Sequence, residues 1–265
     1  MPDIIHAELS YAVQGMFMAI YNRHGPMLHE ELYENLVAHL MQKAGYPCLC
    51  QQEFHVLYKD VRVGTFYTDV SLLPQLIIEL KVAPCIDPLH VAQTITYLKV
   101  SGAELGMLVN FGGPSLEFKR VPNFISGRQP NLVAPPPPDD PNLLYPELTG
   151  EIRRCLYQVH SELGPGFWHR VYRNAAQVEF EMSGVPCEHK RWMDIYHDGW
   201  HAGRQRCNVL VVDNKVMVTP VAVKTVTEAM RGQFRAHLRR LELKIGLLAN
   251  FHNESLEIET LRVRG

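Results

Sequence analysis

The segment 76–82, with the sequence LIIELKV, places two charged residues inside an otherwise aliphatic strand pattern. Because side chains alternate along a β-strand, Glu79 and Lys81 share one face of the predicted strand. Burying charged groups among aliphatic side chains costs free energy unless they pair with each other, a metal ion or a substrate. The segment therefore predicts a central strand that carries a functional pair.

The preceding strand, predicted at 61–73, brings a second carboxylate, that of Asp69, towards Glu79. Two carboxylates on neighbouring strands can share a divalent cation, and Mg²⁺ prefers oxygen ligands while it keeps several waters. We therefore predict a Mg²⁺ or Mn²⁺ site formed by Asp69, Glu79 and the backbone carbonyl of Leu80. Lys81 can orient or help to deprotonate the attacking water and can offset charge on a phosphate.

A purely structural explanation of the same residues stays open. In it, Glu79 and Lys81 form an ordinary ion pair on an edge strand, and Asp69 lies solvated nearby. The Glu-x-Lys pattern by itself does not separate this arrangement from a metal site.

Hydrophobic periodicity around this segment predicts a unit that opens with two helices, at 5–21 and 28–40. Three strands follow, and Asp87-Pro88 and Gly102 then mark the start and the end of a helix before a final strand. The predicted strands span 53–58, 61–73, 76–82 and 105–111.

The second half of the chain repeats the first at an offset of 139 residues, as for Gly25-Pro26 and Gly164-Pro165. After a one-residue insertion the offset becomes 140, as for Asn110-Phe111 and Asn250-Phe251. We predict a first domain at 1–125, a Pro-rich linker at 126–142 and a second domain at 143–265. The run of four prolines in the linker can also be an SH3-type ligand, but its position between the copies favours a spacer.

The first copy resembles the GxxExxY family, a branch of the PD-(D/E)XK nuclease-like superfamily, over residues 8–121, with a weaker similarity over 147–263. The segment that names the family reads GPMLHEELY at 25–33, where Met27 replaces the family's glycine while Glu30 and Tyr33 remain. The resemblance implies an α/β (α+β) fold of two tandem αβββαβ units, each with a mixed central sheet flanked by helices.

The resemblance also implies a catalytic set. The superfamily's Asp and Glu-x-Lys positions fall on Asp69, Glu79 and Lys81, while the second helix adds the carboxylate of Glu30. Gln93 and Tyr97 resemble the Gln-x-x-x-Tyr pattern of some relatives. Being four residues apart, they share one helical face and can touch a phosphate or order the Lys81 amine, or simply form a polar helix flank. The predicted catalytic residues are thus Glu30, Asp69, Glu79, Lys81 and Gln93, with Tyr97 as a substrate contact, whereas Tyr33 is interpreted as a packing residue.

The second copy loses every acidic member of this set. The replacements are Glu30 by His169, Asp69 by Asn208, Glu79 by Thr219, Lys81 by Val221 and Tyr97 by His237. We interpret this copy as a pseudo-nuclease domain. Pro220 cannot donate a ladder hydrogen bond, which predicts an edge position or a distortion there.

Two local patterns in the second copy have open interpretations. Arg231, Arg235 and Arg239 lie on one face of a predicted helix, where they can grip a phosphate backbone or form a solvated face. The histidines of the segment 197–201, HDGWH, are interpreted as part of a turn and not as a metal site, because no third ligand converges on them.

Composition narrows the class of protein. A hydrophobic content of 46% and a charged content of 20% are typical of a globular protein, and the net charge of -2 excludes a global basic field. The N-terminus lacks the pattern of a signal peptide and no segment is apolar enough to span a membrane, so we predict a cytoplasmic protein without a membrane partner. Six scattered cysteines are interpreted as free buried thiols.

The leading hypothesis is a Mg²⁺-dependent nuclease or nuclease-like hydrolase, in which the first repeat acts on nucleic acid and DNA is the favoured substrate. The second repeat is structural or binds substrate. The alternative is a non-catalytic binding or assembly module with a relic charged set. Self-association, a protein partner, or pairing of the repeats as an intramolecular pseudo-dimer are further hypotheses. The sequence leaves open whether the first repeat is active and whether DNA or RNA is bound.

Overall fold

The computed structural model describes residues 5–123 and 143–263. The linker predicted at 126–142 lies outside the described residues. The chain divides into two compact units, one formed by Met1–Val56 with Thr65–Arg128 and the other by Leu57–Gly64 with Gln129–Gly265. No helix among the described residues is long and apolar enough to cross a membrane.

Each repeat consists of two helices, three strands, a helix and two further strands. The first repeat contains α1 Ala7–His24, α2 Glu30–Lys43, β1 Leu49–Tyr58, β2 Val61–Leu72, β3 Leu76–Lys81, α3 Pro88–Ser101, β4 Leu105–Asn110 and β5 Glu117–Pro122. The second contains α4 Pro146–Leu163, α5 His169–Met182, β6 Cys187–His197, β7 Trp200–Val212, β8 Val216–Val221, α6 Glu228–Arg240, β9 Ile245–Asn250 and β10 Glu257–Arg262.

The two sheets have the same topology. Their strand orders are β1-β2-β3-β4-β5 and β10-β9-β8-β7-β6. In each sheet the third and fourth strands pair in parallel, with antiparallel strands beside them. This confirms the predicted fold class, two tandem units with mixed sheets flanked by helices. β3 and β8 therefore lie at the centres of their sheets, as the charged segment of β3 predicted.

The sequence did not predict the last strand of each repeat. The residues of β5, EFKRVP, are mostly half-buried and are not separated into an apolar and a polar face. Among the described residues, β5 is an edge strand that pairs only with β4, and an edge strand needs no clear hydrophobic alternation. Its pairing is thus decided by the neighbouring strand.

The motif tyrosine holds the loop between the first two helices of each repeat. Tyr33 stacks on Phe111 with ring centroids 4.2 Å apart. Its hydroxyl donates to the carbonyl of Gly25 at 2.7 Å and accepts from the amide of Leu28 at 3.2 Å. Tyr172 makes the same contacts in the second repeat, including a stacked ring 4.3 Å away. Tyr33 is a packing residue, as the sequence indicated.

The shared glycine of the fourth strand permits close packing of the third helix. A Cβ atom on Gly106 would lie 2.6 Å from Thr94 of α3, and one on Gly246 would lie 2.7 Å from Phe234 of α6. Any larger side chain would therefore push helix and strand apart. This packing explains why both copies keep the residue.

Pro220 does not lie on an edge strand, so that part of the prediction was wrong. β8 is central, between β7 and β9. Its pairing with β7 ends at Val218, opposite Leu210, so Pro220 lies beyond the hydrogen-bonded part of that ladder. A central strand tolerates the proline because no ladder partner requires its missing N–H there.

The six cysteines are free, as predicted, but they are not all buried. Cys48 and Cys155 are buried, whereas Cys50 and Cys85 are exposed and the remaining two are half-buried. The solvent exposure of each cysteine depends on its position in a strand or loop.

We predict that Met27→Gly stabilises the protein. Met27 has φ +71°, a left-handed conformation that is costly for a residue with a Cβ, and the second repeat has Gly166 at this position with φ +103°. The free energy of unfolding should rise by about 0.5–1 kcal/mol in urea titrations, because relief of strain exceeds the added flexibility of the unfolded chain. The reciprocal variant Gly166→Met should lose stability. An unchanged or lower value for Met27→Gly would contradict the assignment of strain.

Candidate active site

Two strands of the first repeat bring the predicted carboxylates together. Val70 and Ser71 of β2 pair with Ile78 and Ile77 of β3, and the same register would place Asp69 opposite Glu79. The ladder stops before that position. Instead, Asp69 Oδ2 accepts a hydrogen bond from the backbone N–H of Leu80 at 2.6 Å. The carboxylate thus replaces a backbone acceptor and is fixed beside the Glu-x-Lys segment.

The surroundings of these residues contradict the edge-strand explanation. Glu79 is 1% exposed and Asp69 is 9% exposed, so neither carboxylate is solvated. β3 lies between β2 and β4 in the sheet. A buried ion pair at the centre of a sheet seldom stabilises a fold as well as apolar residues of the same size would.

Lys81 is the cation of the site. Its Nζ lies 2.6 Å from Glu79 Oε1 and 3.8 Å from Glu30 Oε1. It also donates to the backbone carbonyl of Leu80 at 2.6 Å, so this predicted ligand oxygen is already engaged by the ammonium. By contrast, Glu79 Oε2 is buried and has no hydrogen-bond partner among the described residues.

The site has more negative charge than Lys81 compensates. Burial, followed by repulsion from Asp69, raises the pKa of Glu79 to about 8 despite the opposing effect of Lys81. Burial also raises the pKa of Asp69 to about 6, although the Leu80 amide and Lys81 oppose this. Burial lowers the pKa of Lys81, but the neighbouring carboxylates, Glu79 first, outweigh it and raise that pKa overall. Lys81 is therefore a protonated donor.

Glu34 is a further acidic residue that the motifs did not reveal. It is 8% exposed and lies one helical turn after Glu30 on α2. Gln51 donates to its carboxylate at 2.5 Å, and burial raises its pKa. Its charge contributes to the raised pKa of Asp69. The i, i+4 spacing from Glu30 was the available signal.

A buried asparagine fixes the chain directly after the Glu-x-Lys strand. Asn110 Oδ1 accepts from the amide of Ala83 at 2.9 Å, and its Nδ2 donates to the carbonyl of the same residue at 2.9 Å. Asn250 binds Val223 in the same way in the second repeat. The end of β3 is thereby held to the end of β4 whether or not the acidic residues are present.

The remaining predicted residues lie around this centre with different degrees of exposure. The Glu30 side chain is 46% exposed. Gln93 Nε2 donates to the Tyr97 hydroxyl at 2.7 Å, which shows that the two share one face of α3. Tyr97 is buried and packs edge-on against Phe66, with ring centroids 5.8 Å apart. Their roles as a catalytic residue and a substrate contact stay predictions.

The donor set fits a hard divalent cation. The described residues contain no group of three or more His, Cys, Asp or Glu side chains arranged around one metal position. Mg²⁺ does not need such a group, because one or two carboxylates together with waters and substrate phosphates suffice. Asp69 and the unpartnered Glu79 Oε2 match this requirement, and a cation would offset the burial, and then the repulsion from neighbouring carboxylates, that raise both pKa values.

The second repeat changes both partners of the Asp69 hydrogen bond and removes its N–H donor. Asn208 stands for Asp69, and Pro220 stands for Leu80, whose N–H the carboxylate accepts. Because Pro220 has no N–H, no buried backbone donor at this point needs an acceptor. The HDGWH segment is a hairpin turn as interpreted, in which His201 Nε2 contacts Asp194 at 2.9 Å.

The predicted basic helix face is partly compensated. Arg231 forms ion pairs with Glu259 at 2.6 Å and with Glu228 at 2.8 Å. Arg235 is half-buried and Arg239 is exposed. Substrate binding by these three residues stays a prediction.

Comparisons with known proteins place both repeats in one family. The family model described as the PD-(D/E)XK nuclease superfamily matches residues 7–121 and 146–263. A comparison with curated proteins found no match. The solved structure described as "Crystal structure of SSO0001" is 16% identical with a TM-score of 0.30, and the match covers 43% of this chain and 61% of that chain. The chain thus spans less than two thirds of that protein. The two family matches coincide with the repeats and confirm the tandem duplication.

We predict that Glu79→Gln stabilises the metal-free protein, and more so as pH rises. With a folded pKa of about 8, above the ordinary value of 4.5, Glu79 contributes stability that falls as pH rises through this window. The neutral amide removes that cost, by at least about 1 kcal/mol near pH 8 and little near pH 5. Urea unfolding in a chelating buffer at both pH values measures the difference.

Glu30→Gln is the matched control, because its side chain is 46% exposed and its removal should change stability little. A loss of stability in Glu79→Gln at both pH values would show that the Glu79–Lys81 pair is a net stabilising structural ion pair.

Proposed function

Because the chain belongs to the PD-(D/E)XK nuclease superfamily, we propose that its first repeat is a divalent-metal-dependent phosphodiesterase that cuts nucleic acid, with DNA as the favoured substrate. The observation that carries the proposal is the buried, unpartnered Glu79 Oε2 beside the buried Asp69 carboxylate. Such a pair is costly for stability unless a cation or substrate uses it. The family match alone supports only a nuclease-like fold.

Asp69 and Glu79 would hold Mg²⁺ or Mn²⁺, and the Leu80 carbonyl would add a third oxygen if Lys81 released it. When bound, the metal would polarise a phosphate oxygen and lower the pKa of a bound water. The Leu80 amide keeps Asp69 oriented for this role. The burial of both carboxylates excludes most competing water from the site.

The protonated Lys81 ammonium would donate a hydrogen bond to the attacking water or to a phosphate oxygen. Its protonated state follows from the carboxylates around it, which raise its pKa, so it positions and stabilises charge and does not act as the base. Glu30, 3.8 Å from Lys81 Nζ and half exposed, would assist a second metal or a water. Gln93 would steady the site from α3.

The second repeat would be structural or would bind substrate, since it lacks the carboxylates. Substrate binding by the second repeat would use the predicted contacts Arg231, Arg235 and Arg239. The ion pairs of Arg231 with Glu228 and Glu259 partly neutralise its charge and would weaken its contact with a phosphate. Self-association, a protein partner and a pseudo-dimer of the repeats stay hypotheses, which light scattering of the full chain can test.

We predict Mg²⁺- or Mn²⁺-dependent cleavage of labelled DNA or RNA, tested with single-stranded and double-stranded forms of each. Lys81→Ala and Glu79→Ala should each reduce the rate by about 10²–10³-fold, because each removes a charged group from the reacting centre. Lys119→Ala, which removes an exposed lysine from β5, should leave the rate unchanged. Cleavage that persists in both site variants would disprove the assignment.

We also predict that calorimetry detects Mg²⁺ or Mn²⁺ binding in the micromolar to millimolar range. Asp69→Asn copies the residue of the second repeat and should abolish this binding, because the amide is a weaker ligand without charge. Binding that is unchanged in Asp69→Asn would show that the metal lies elsewhere. No binding up to about 10 mM in the unmodified chain would favour the non-catalytic binding or assembly module.

A further inference from the structure

The second repeat reverses the charge of the site that the first repeat keeps. Besides the exchange of Glu30 for His169, arginines replace four further residues of α2, β1 and β2. The exchanged pairs, at the offset of 139 residues, are Glu31 and Arg170, Glu34 and Arg173, Gln52 and Arg191, and Tyr67 and Arg206. An acidic site has thus become a basic one on the same scaffold.

The fold brings these arginines together from three elements. Arg173 lies on α5, Arg191 on β6 and Arg206 on β7. Arg206 pairs with Trp192 across the two strands, and the register shifts between Lys190 and Trp192, which places Arg191 beside this pair. Burial and the positive charges of Arg206 and Arg191 lower the pKa of Arg173, and Arg170 adds to this effect. The guanidinium groups therefore lie close enough to repel one another.

Within the described part of the chain, no carboxylate compensates Arg173, Arg191 or Arg206, because none of them forms an ion pair there. Arg231 of the same repeat, by contrast, has two acidic partners. Arg173 is half-buried, whereas Arg191 and Arg206 are exposed, so the unbalanced charge costs stability mainly at Arg173. This cost requires an explanation, as the buried carboxylates do in the first repeat.

Unused hydrogen-bonding atoms accompany the charges. Arg173 Nε and His189 Nε2 are buried and have no partner among the described residues, and neither does Thr219 Oγ1, which stands in the place of Glu79. Burial, then the charges of Arg173 and Arg191, lower the pKa of His189, although a side-chain hydrogen bond with Asn208 opposes this. An anionic ligand would supply the acceptor that the Arg173 Nε–H lacks.

We propose that the second repeat carries a phosphate-binding site formed by Arg173, His189, Arg191 and Arg206. Guanidinium groups bind phosphate oxygens in pairs and lose less hydration than an ammonium group does, which suits a half-buried position. The phosphate belongs either to a nucleic-acid backbone or to a free phosphorylated molecule. The site uses none of the residues of the proposed phosphodiesterase centre and goes beyond that function.

The test measures binding of an end-labelled single-stranded DNA oligonucleotide to the full chain by fluorescence anisotropy in EDTA. In the same buffer, inorganic phosphate is added to compete with the oligonucleotide for binding. In a separate measurement, thermal unfolding is followed with and without inorganic phosphate. Without divalent metal the result does not depend on whether the first repeat is a nuclease, so the two proposals can fail separately.

The site variant Arg173→Gln/Arg206→Gln should bind the oligonucleotide at least about tenfold more weakly and lose the rise in Tm with phosphate. The control Arg204→Gln/Lys215→Gln removes the same net charge from exposed, ion-paired positions and should stay within about twofold. Arg191→Gln, at an exposed strand position, tests the site with little risk to folding and should give a smaller loss of the same kind.

Loss of oligonucleotide affinity in the site variants identifies a nucleic-acid backbone as the ligand. Loss of only the phosphate-dependent rise in Tm identifies a free phosphorylated molecule. The Tm of the ligand-free site variant should equal or exceed that of the unmodified chain, because repulsion is relieved. A lower Tm of the ligand-free site variant would overturn the proposal. So would binding measurements in which the site variant and the control variant change the affinity for both ligands equally.

Discussion

The central constraint in this protein is the burial of two carboxylates at one point of a sheet with a single lysine beside them. Glu79 lies on the central strand, and Asp69 replaces the ladder acceptor of Leu80 on the neighbouring strand. Lys81 can neutralise one of the two charges. The rest of the first repeat, from the asparagine that holds the end of β3 to the helix that contributes Glu30 and Glu34, supports this unbalanced arrangement. A fold selected for stability alone would not keep it.

Duplication separates the residues that maintain the fold from those that carry the chemistry. Both repeats keep the stacked motif tyrosine, the asparagine at the end of the fourth strand and the glycine under the third helix. None of these residues belongs to the acidic set. The scaffold therefore persists when the carboxylates are lost, and Pro220 is accommodated there because a residue without an N–H leaves no buried donor that needs an acceptor.

The same scaffold positions opposite charges in its two copies. In the first, burial and then repulsion from neighbouring carboxylates raise the pKa values of Asp69 and Glu79. In the second, burial and repulsion lower the pKa of Arg173. Both arrangements concentrate one sign of charge on elements that follow the first helix, and both leave buried polar atoms without partners. A cation and a phosphate are the respective complements, and both are components of nucleic-acid chemistry.

Sequence alone determined the tandem repeat, the core strand 76–82 and the proximity of Asp69 to the Glu-x-Lys segment, because local periodicity and residue spacing encode these features. The fold class followed from the resemblance to a known family. Tertiary structure decided the rest. The edge strand β5 depends on its neighbour, the burial of Asp69 depends on where the β2–β3 ladder ends, and the central place of Pro220 depends on strand order. The charges around Arg173 converge from α5, β6 and β7, and contacts between distant segments cannot be derived from spacing along one chain.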